Sequence, residues 1–129
     1  HIYTASSDGL ILKWVKQGEN YTSIKLYNNG FINRYMALSP DNNWLAVAGD
    51  APYIQLFDLK DPNAKPKKLF GHKGQVYAMC FSSDNMLITS GSDTASNSVL
   101  LRNLENEKYY IINKSKNKIK NLAYDIKNN

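Results

Sequence analysis

The chain has 129 residues, of which 43% are hydrophobic, and it carries a net charge of +5. This size and apolar content are typical of one folded domain and exclude a disordered chain. Because no apolar run of about 18 residues exists, the sequence excludes a membrane-spanning helix, and its single cysteine, Cys80, excludes an internal disulfide.

The first half of the chain reads as short strands separated by turn residues, and no stretch has a sustained helical period. Residues 1–28 are predicted to hold three strands. The next predicted strands are RYMALS (34–39), WLAVAG (44–49), YIQLFDL (53–59) and KKLFG (67–71). The turn SPDNN (39–43) and the loop KDPNAKP (60–66) lie between them, as expected for segments rich in Pro, Asn and Asp.

The second half repeats this order. Its predicted strands are QVYAMCFS (75–82), MLITSG (86–91), SVLLRNL (98–104) and KYYIINK (108–114). A last strand is predicted at IKNLAYD (119–125). Several of these strands are apolar along their whole length, which favours sheets covered on both faces over sheets with one wet face.

The order of strands follows an internal repeat. MALSPDNNWLAVAGD (36–50) and MCFSSDNMLITSGSD (79–93) share Met, Ser, Asp and Asn positions at an offset of 43 residues. A shorter copy, IYTASSDGLILKW (2–14), precedes them, and its Asp8 lies 42 residues before Asp50. A fourth copy begins at 119–125, where Tyr124 lies 43 residues after Phe81. Four short strands per period of about 40–45 residues predict the blades of a β-propeller.

The repeats resemble those of the WD40 family over nearly the whole chain. The third copy has Gly71-His72 at its start, FSSD after its first strand, ITSGSD at its second, and Arg102-Asn103 at the end of its third. The resemblance implies an all-β fold, a partial WD40-type propeller of about three four-stranded antiparallel blades, as an open fragment or an oligomer-closed ring. The blades are expected at 1–28 (three strands of the first), 29–70 and 71–113, with 114–129 as the first strand of the next or closing blade.

The resemblance also implies a structural brace within each blade, made by a His, a Ser or Thr, an Asp and a Trp that bond to one another. The matching residues of this sequence are His72, Thr89 and Asp93 in one copy and Thr4, Asp8 and Trp14 in another. The middle copy has Asp50 but Ala46 and Phe57, so its brace is expected to be broken or absent.

Arg102 stands at the Trp position of the third copy. It is expected to reach solvent or to pair with Glu105 or Glu107. We predict weaker bracing in that blade.

The sequence predicts no enzyme. His72 in a closed polar network braces a blade, whereas a hydrolase needs an exposed nucleophile, a free base and an oxyanion site. His1 is the only other histidine, no metal-ligand spacing or phosphate-binding glycine loop is present, and no cofactor is predicted. Cys80 is expected to be a buried small hydrophobe. An unpaired cysteine and abundant lysine favour a cytoplasmic location.

Loop-face residues are the candidate partner site, for a protein or a peptide. Arg34, Tyr77 and Lys120 occupy matched places on three successive first strands, and Gln75 and Lys118 belong to a second matched set with Ile32. Tyr53, in the turn after a second strand, completes the set. Arg and Tyr are common anchors at protein interfaces, so these cations and tyrosines would suit an acidic or aromatic peptide.

The excess positive charge lies at the end of the chain. Residues 108–129 hold six lysines against Asp125 alone. Two interpretations remain open: a surface for nucleic acid, anionic lipid or an acidic partner, or a solvated strand edge on which lysine discourages aggregation, and the strand edge is favoured. Because NKSKNKIK (113–120) has no aromatic residue for base stacking, the sequence favours a protein partner over nucleic acid.

Three blades do not make a closed ring, since propellers have about four to eight. The chain is therefore expected to be part of a longer propeller chain, consistent with a first residue that is not Met. The alternative is that a second copy completes the ring.

Overall fold

The computed structural model describes residues 1–61 and 63–127, which form eleven β-strands and no helix. All strand pairs are antiparallel. The strands are β1 (Ile2–Ala5), β2 (Leu10–Gln17), β3 (Asn20–Asn28), β4 (Asn33–Leu38), β5 (Trp44–Gly49), β6 (Ile54–Asp58), β7 (Lys67–Leu69), β8 (Val76–Phe81), β9 (Leu87–Ser92), β10 (Asn97–Arg102) and β11 (Tyr109–Ser115).

The strands form three sheets in chain order. The first sheet is β1-β2-β3, the second is β4-β5-β6-β7 and the third is β8-β9-β10-β11. This confirms the all-β propeller-type fold with sheets that do not close into a ring. The predicted division into blades at 28, 70 and 113 stays a prediction; β11 runs two residues beyond the last of these limits.

Short turns join the strands of each sheet. In the first sheet, Gly18 has a φ of 63°, as the first central residue of a tight hairpin between Gln17 and Asn20 requires. In the turns of the other two sheets Asn42 and Asn85 have φ values of 59° and 60°, a region that Asn tolerates better than most residues. Each of these two turns also holds a serine hydroxyl that donates to an aspartate, Ser39 to Asp41 and Ser82 to Asp84.

Two hydrophobic cores lie between the sheets. Leu45, Val47 and Phe57 pack with Ile11 between the first and second sheets. Ala46, Ala48, Leu56 and Leu69 pack with Val76, Phe81 and Leu87 between the second and third. The continuously apolar β5 therefore has one face in each core, which explains why its sequence does not alternate with polar residues.

The strand predicted at 119–125 is not formed. The structure assigns no strand to 116–127, since no further described strand lies beyond it to extend a hydrogen-bonded ladder. The segment still follows the third sheet: the Ser90 hydroxyl donates to the Ile119 carbonyl at 2.6 Å. Pro62 of the predicted loop and residues 128 and 129 of the last predicted segment lie outside the described residues.

Within 1–61 and 63–127 the structure has no helix that is long and apolar enough to cross a bilayer.

Candidate functional site

His72 lies in a polar network at one end of the third sheet. Its Nε2 is 3.0 Å from the Thr89 hydroxyl, and its Nδ1 is 3.4 Å from the Ser98 hydroxyl. The loop that carries His72 is tied to β9, because the N–H groups of Lys73 and Gly74 both donate to the Ser92 carbonyl. The histidine side chain is only 3% exposed. The network therefore joins the loop before β8 to the two central strands of the sheet through Thr89 and Ser98, while the role of a brace stays a prediction.

Burial keeps His72 neutral. The loss of solvation lowers its pKa below the ordinary value, and the nearby Asp93 carboxylate only partly opposes this. Asp93 Oδ1 lies 3.7 Å from His72 Nδ1, which is too far for a hydrogen bond, so Asp93 acts on the ring by its charge. The neutral imidazole of His72 is within hydrogen-bonding distance of the buried Thr89 hydroxyl, and this contact attaches the loop before β8 to β9.

We expect the free energy of unfolding to decrease as pH falls below about 6.5, the ordinary histidine pKa. The unfolded chain takes up a proton there, whereas folded His72, with its lowered pKa, does so only at a lower pH. Between the two pKa values the slope has the sign of one proton and is at most about 1.4 kcal/mol per pH unit, and above them His72 contributes its full stability. Urea unfolding at a series of pH values checks this. The matched control, His72→Asn, should give a flatter profile, and parallel profiles would contradict the argument.

The first sheet contains only part of the predicted brace. Trp14 Nε1 donates to the Thr4 hydroxyl at 2.9 Å across β1 and β2. Asp8 instead belongs to the turn between these strands, where it accepts from the Ser6 hydroxyl and from the Leu10 N–H. These two hydrogen bonds lower the pKa of Asp8.

The second sheet differs from the prediction by one residue. Gly49 pairs with Asn33 as Gly91 pairs with Val76, which puts Val47, not Ala46, at the position of Thr89. The reason is the turn SPDNN, which is one residue longer than its counterpart: Ser39 N–H donates to the Trp44 carbonyl, but Ser82 N–H donates to that of Met86. Neither Val47 nor Ala46 has a hydroxyl, so the second sheet has no counterpart of the Thr89 hydroxyl at this position.

An amide network replaces the histidine network in the second sheet. Asn29 stands 43 residues before His72, and its Nδ2 donates to Asn33 and to Gln55, both at 2.7 Å. Asn33 in turn donates to the Ser6 carbonyl of the first sheet at 3.1 Å. None of these hydrogen bonds involves Ala46, Asp50 or Phe57, so different side chains make the connection in this sheet. The shared offset of Asn29 and His72 was the signal for it.

Arg102 does not reach solvent, and it forms no ion pair with a carboxylate among the residues that the structure describes. It is buried, and its guanidinium donates to the Phe70 and Glu107 carbonyls and lies 4.9 Å from the Tyr109 ring centre. Burial lowers its pKa. Where the repeat pattern has a Trp side chain, Arg102 instead contacts the loop before His72 through the Phe70 carbonyl. Its position in the repeat did not indicate this contact.

The structure brings three predicted binding residues together. Arg34 on β4, Tyr77 on β8 and Lys120 line one open groove, which we call the inner groove. Its other lining residues are Tyr35, Met36, Ala78, Met79, Asn121 and Leu122. Lys118 joins the set through Tyr77, because its Nζ lies 5.3 Å from the tyrosine ring centre. Three of the six candidate residues thus line one opening, and a fourth, Lys118, contacts one of the three.

The cations at the inner groove differ in whether an acidic side chain of this chain already binds them. Arg34 Nε donates to Asp50 Oδ1 at 2.7 Å, and its Nη2 lies 3.3 Å from Oδ2. This contact lowers the pKa of Asp50. Because Asp50 already neutralises Arg34, Lys118 and Lys120 are the cations that an incoming carboxylate would meet.

The other two candidates lie elsewhere. Tyr53 packs edge-on against Phe31 and Phe70, with Lys68 Nζ 4.6 Å from its ring centre. Gln75 is exposed, and its main-chain carbonyl accepts from the Ser92 N–H. The apolar part of the inner groove, Met36 and Met79, was missed although both residues belong to the repeated frame.

No metal-binding group was found where the structure describes the chain: residues 1–61 and 63–127 contain no cluster of three or more His, Cys, Asp or Glu side chains that could hold an ion. Cys80 is half-buried, and burial raises the pKa of its thiol. A raised pKa disfavours the reactive thiolate.

Comparisons with known proteins agree on one family. The model of the WD domain, G-beta repeat, matches residues 64–97. The chain is 32% identical over 113 residues to WD repeat and SOCS box-containing protein 1 of Takifugu rubripes, covering 84% of the chain and 25% of the relative.

Solved propellers have the same fold. The WD40 β-propeller domain of Doa1 matches with a TM-score of 0.62 at 21% identity, over 75% of this chain and 32% of that one. The WD40 repeats of RRP9 match with a TM-score of 0.66 at 20% identity, over 84% and 33%. The chain thus spans about a quarter to a third of the length of these proteins.

Proposed function

Because the chain belongs to the WD40-repeat β-propeller family, we propose that it is a non-enzymatic interaction module that holds a protein or peptide partner in the inner groove. WD40 propeller domains are in general protein-interaction scaffolds, and this supports the broader part of the proposal. The observation that carries the rest is the convergence of Arg34, Tyr77 and Lys120, from three successive repeats, on one opening.

The lining of the inner groove indicates the chemistry of the partner. Lys118 and Lys120 would attract a carboxylate, while the tyrosine ring and the methionine side chains offer flat and adaptable apolar contacts. An extended peptide with an acidic residue next to an aromatic or large aliphatic residue fits both. Since His72 lies in a closed, buried network, catalysis is not part of the proposal.

Replacing Arg34 with Glu and Tyr77 with Ala together is expected to weaken partner capture at least about tenfold, the loss expected for one interface anchor. Quantitative co-purification from cells, with wild type and variant compared, measures this. The matched control replaces Lys25 with Glu and Tyr21 with Ala on β3, outside the groove. Equal capture by the two double variants would place the partner site elsewhere.

The alternative partner is nucleic acid or an anionic surface at the lysine-rich segment 113–120. Binding of a labelled single-stranded RNA or DNA through many lysine–phosphate contacts should weaken steeply as salt rises, whereas peptide binding at the inner groove, which uses at most two lysines beside its apolar contacts, should weaken much less. A partner whose affinity falls steeply as the salt concentration rises would favour the alternative.

We infer further that other blades cover the two open sheet faces, supplied by a longer chain, with a second copy as the alternative. Ile2 of the first sheet and Ile112 of the third are about half exposed, at 50% and 57%. The mass of the protein in solution distinguishes the two. The cytoplasmic location also stays a proposal, and it rests on the single cysteine and the lysine content.

A further inference from the structure

The outer edge of the third sheet differs from the outer edges of the other two. β7 has three residues, of which two are exposed lysines, Lys67 and Lys68, and β3 carries Thr22, Ser23 and Lys25 among its apolar residues. β11, by contrast, has four large apolar residues in succession, Tyr109–Ile112, between 43% and 60% exposed. Natural sheets usually protect an outer edge by short length or by charge. This stretch, which we call the β11 edge, has neither protection, although its pairing with β10 has one bulge between Ile111 and Asn113.

The main chain of the β11 edge is available on one side. The Asn103 N–H donates to the Lys108 carbonyl, so this pair is hydrogen-bonded. Bonded and non-bonded pairs alternate in an antiparallel ladder. The pairs of Arg102 with Tyr109 and of Leu100 with Ile111 are therefore non-bonded. It follows that the N–H and C=O groups of Tyr109 and Ile111 point away from β10 into solvent.

Neighbouring sheets cover the outermost strands only in part: Leu69 at the end of β7 is buried in the core with the third sheet, but other residues of outermost strands stay exposed. Ile24 on β3 is 51% exposed although the second sheet packs against the first. Tyr109 contacts Arg102 on the side of the second sheet and is still 43% exposed. The β11 edge therefore stays open on its outer side whether or not a sheet lies beside it.

We propose that the β11 edge binds an extended segment of a partner protein, which adds to the third sheet as a fifth strand. The outward groups of Tyr109 and Ile111 supply main-chain hydrogen bonds, and the apolar side chains on both faces contact alternate side chains of the added strand. This surface is separate from the inner groove, because β8 and β11 are opposite edges of the sheet.

The lysines next to the β11 edge indicate the charge of the segment that it binds. Lys114 and Lys116 follow the apolar stretch, so carboxylates at the matching end of the added strand are favoured. A second copy fits less well: antiparallel pairing of two β11 strands about Ile111 would put Lys108 of one copy opposite Lys114 of the other, two like charges. The occupant is therefore a partner segment with alternating apolar residues and acidic residues at one end.

Blocked peptides of alternating Val and Thr, ending in two Glu or in two Lys, are the probes. Titration followed by amide NMR shifts should show that the Glu-ended peptide binds more tightly and shifts the amides of Tyr109 and Ile111.

Ile111→Pro removes the outward N–H without removing a bond to β10, and Pro is tolerated at such edges. It should weaken binding at least about tenfold, the equivalent of one main-chain hydrogen bond. The control, Ile111→Thr, keeps the N–H and should weaken binding less.

Equal binding by wild type and a folded Ile111→Pro variant would overturn the proposal, as would a preference for the Lys-ended peptide. Circular dichroism shows whether the proline variant is folded. If it is not, the double change Lys114→Glu with Lys116→Glu decides, since it should reverse the preference between the two peptides. Self-association of the wild type that Ile111→Pro abolishes, that Ile111→Thr retains and that competes with the peptides would instead identify a second copy as the occupant and overturn the partner assignment.

Discussion

Gly49→Ala is expected to lower the free energy of unfolding by about 3 kcal/mol, at the upper end of the cost of overpacking. A Cβ at position 49 would lie 1.8 Å from the main-chain oxygen of Ile32. That oxygen cannot rotate away, because it belongs to the backbone and accepts a hydrogen bond from the Asp50 N–H. β4 would have to move away from β5, and the Asn29–Asn33–Gln55 network would move with it. Urea unfolding monitored by tryptophan fluorescence measures the loss.

Gly18 offers the matched control for this prediction. A Cβ there meets no atom within 4 Å, although its φ of 63° disfavours other residues. Gly18→Ala should therefore cost only about 1 kcal/mol, from backbone strain, and Gly18→Asn less. If Gly49→Ala and Gly18→Ala had the same effect, close approach of β4 to β5 would not be what position 49 requires.

The repeat spacing was enough to predict the fold. Strand β5 was predicted at the residues where the structure has it, and the other predicted strands in 29–114 differ by one or two residues at their ends. The reason is physical: apolar runs between turn residues have few ways to bury their backbone groups other than in a sheet covered on both faces. The prediction failed at 119–125, where strand formation depends on a neighbouring strand and not on the segment itself.

The placement of the candidate residues was predictable where position alone decides it. Arg34, Tyr77 and Lys120 met in the inner groove because residues at matched positions of stacked repeats must lie at the same edge. Contacts that depend on the length of a local turn were not predictable, because the repeat spacing does not show where an extra turn residue lies. One extra residue in SPDNN moved Val47 to the position assigned to Ala46. Arg102 found main-chain carbonyls that no pattern in the sequence indicates.

The second large effect is expected from His72 and Gly91, whose close contact makes their substitutions interdependent. His72→Ala should lower the free energy of unfolding by about 2–3 kcal/mol, because it leaves a cavity and removes the partner of the buried Thr89 and Ser98 hydroxyls. Gly91→Ala should cost about 2 kcal/mol, since its Cβ would lie 2.6 Å from the imidazole Cγ.

Because removal of the imidazole also removes the atoms that a Cβ at position 91 would overlap, the double variant should be more stable than the sum of the two losses predicts, by at least about 1 kcal/mol. A double-mutant cycle from urea unfolding measures this coupling. Thr4→Val serves as the control, since it removes an exposed hydrogen bond in the first sheet and should combine additively with Gly91→Ala. Additive losses for His72→Ala and Gly91→Ala would mean that the imidazole does not rest on β9. A ring that is free to leave β9 could not hold the loop before β8, and the structural role assigned to His72 would fail with it.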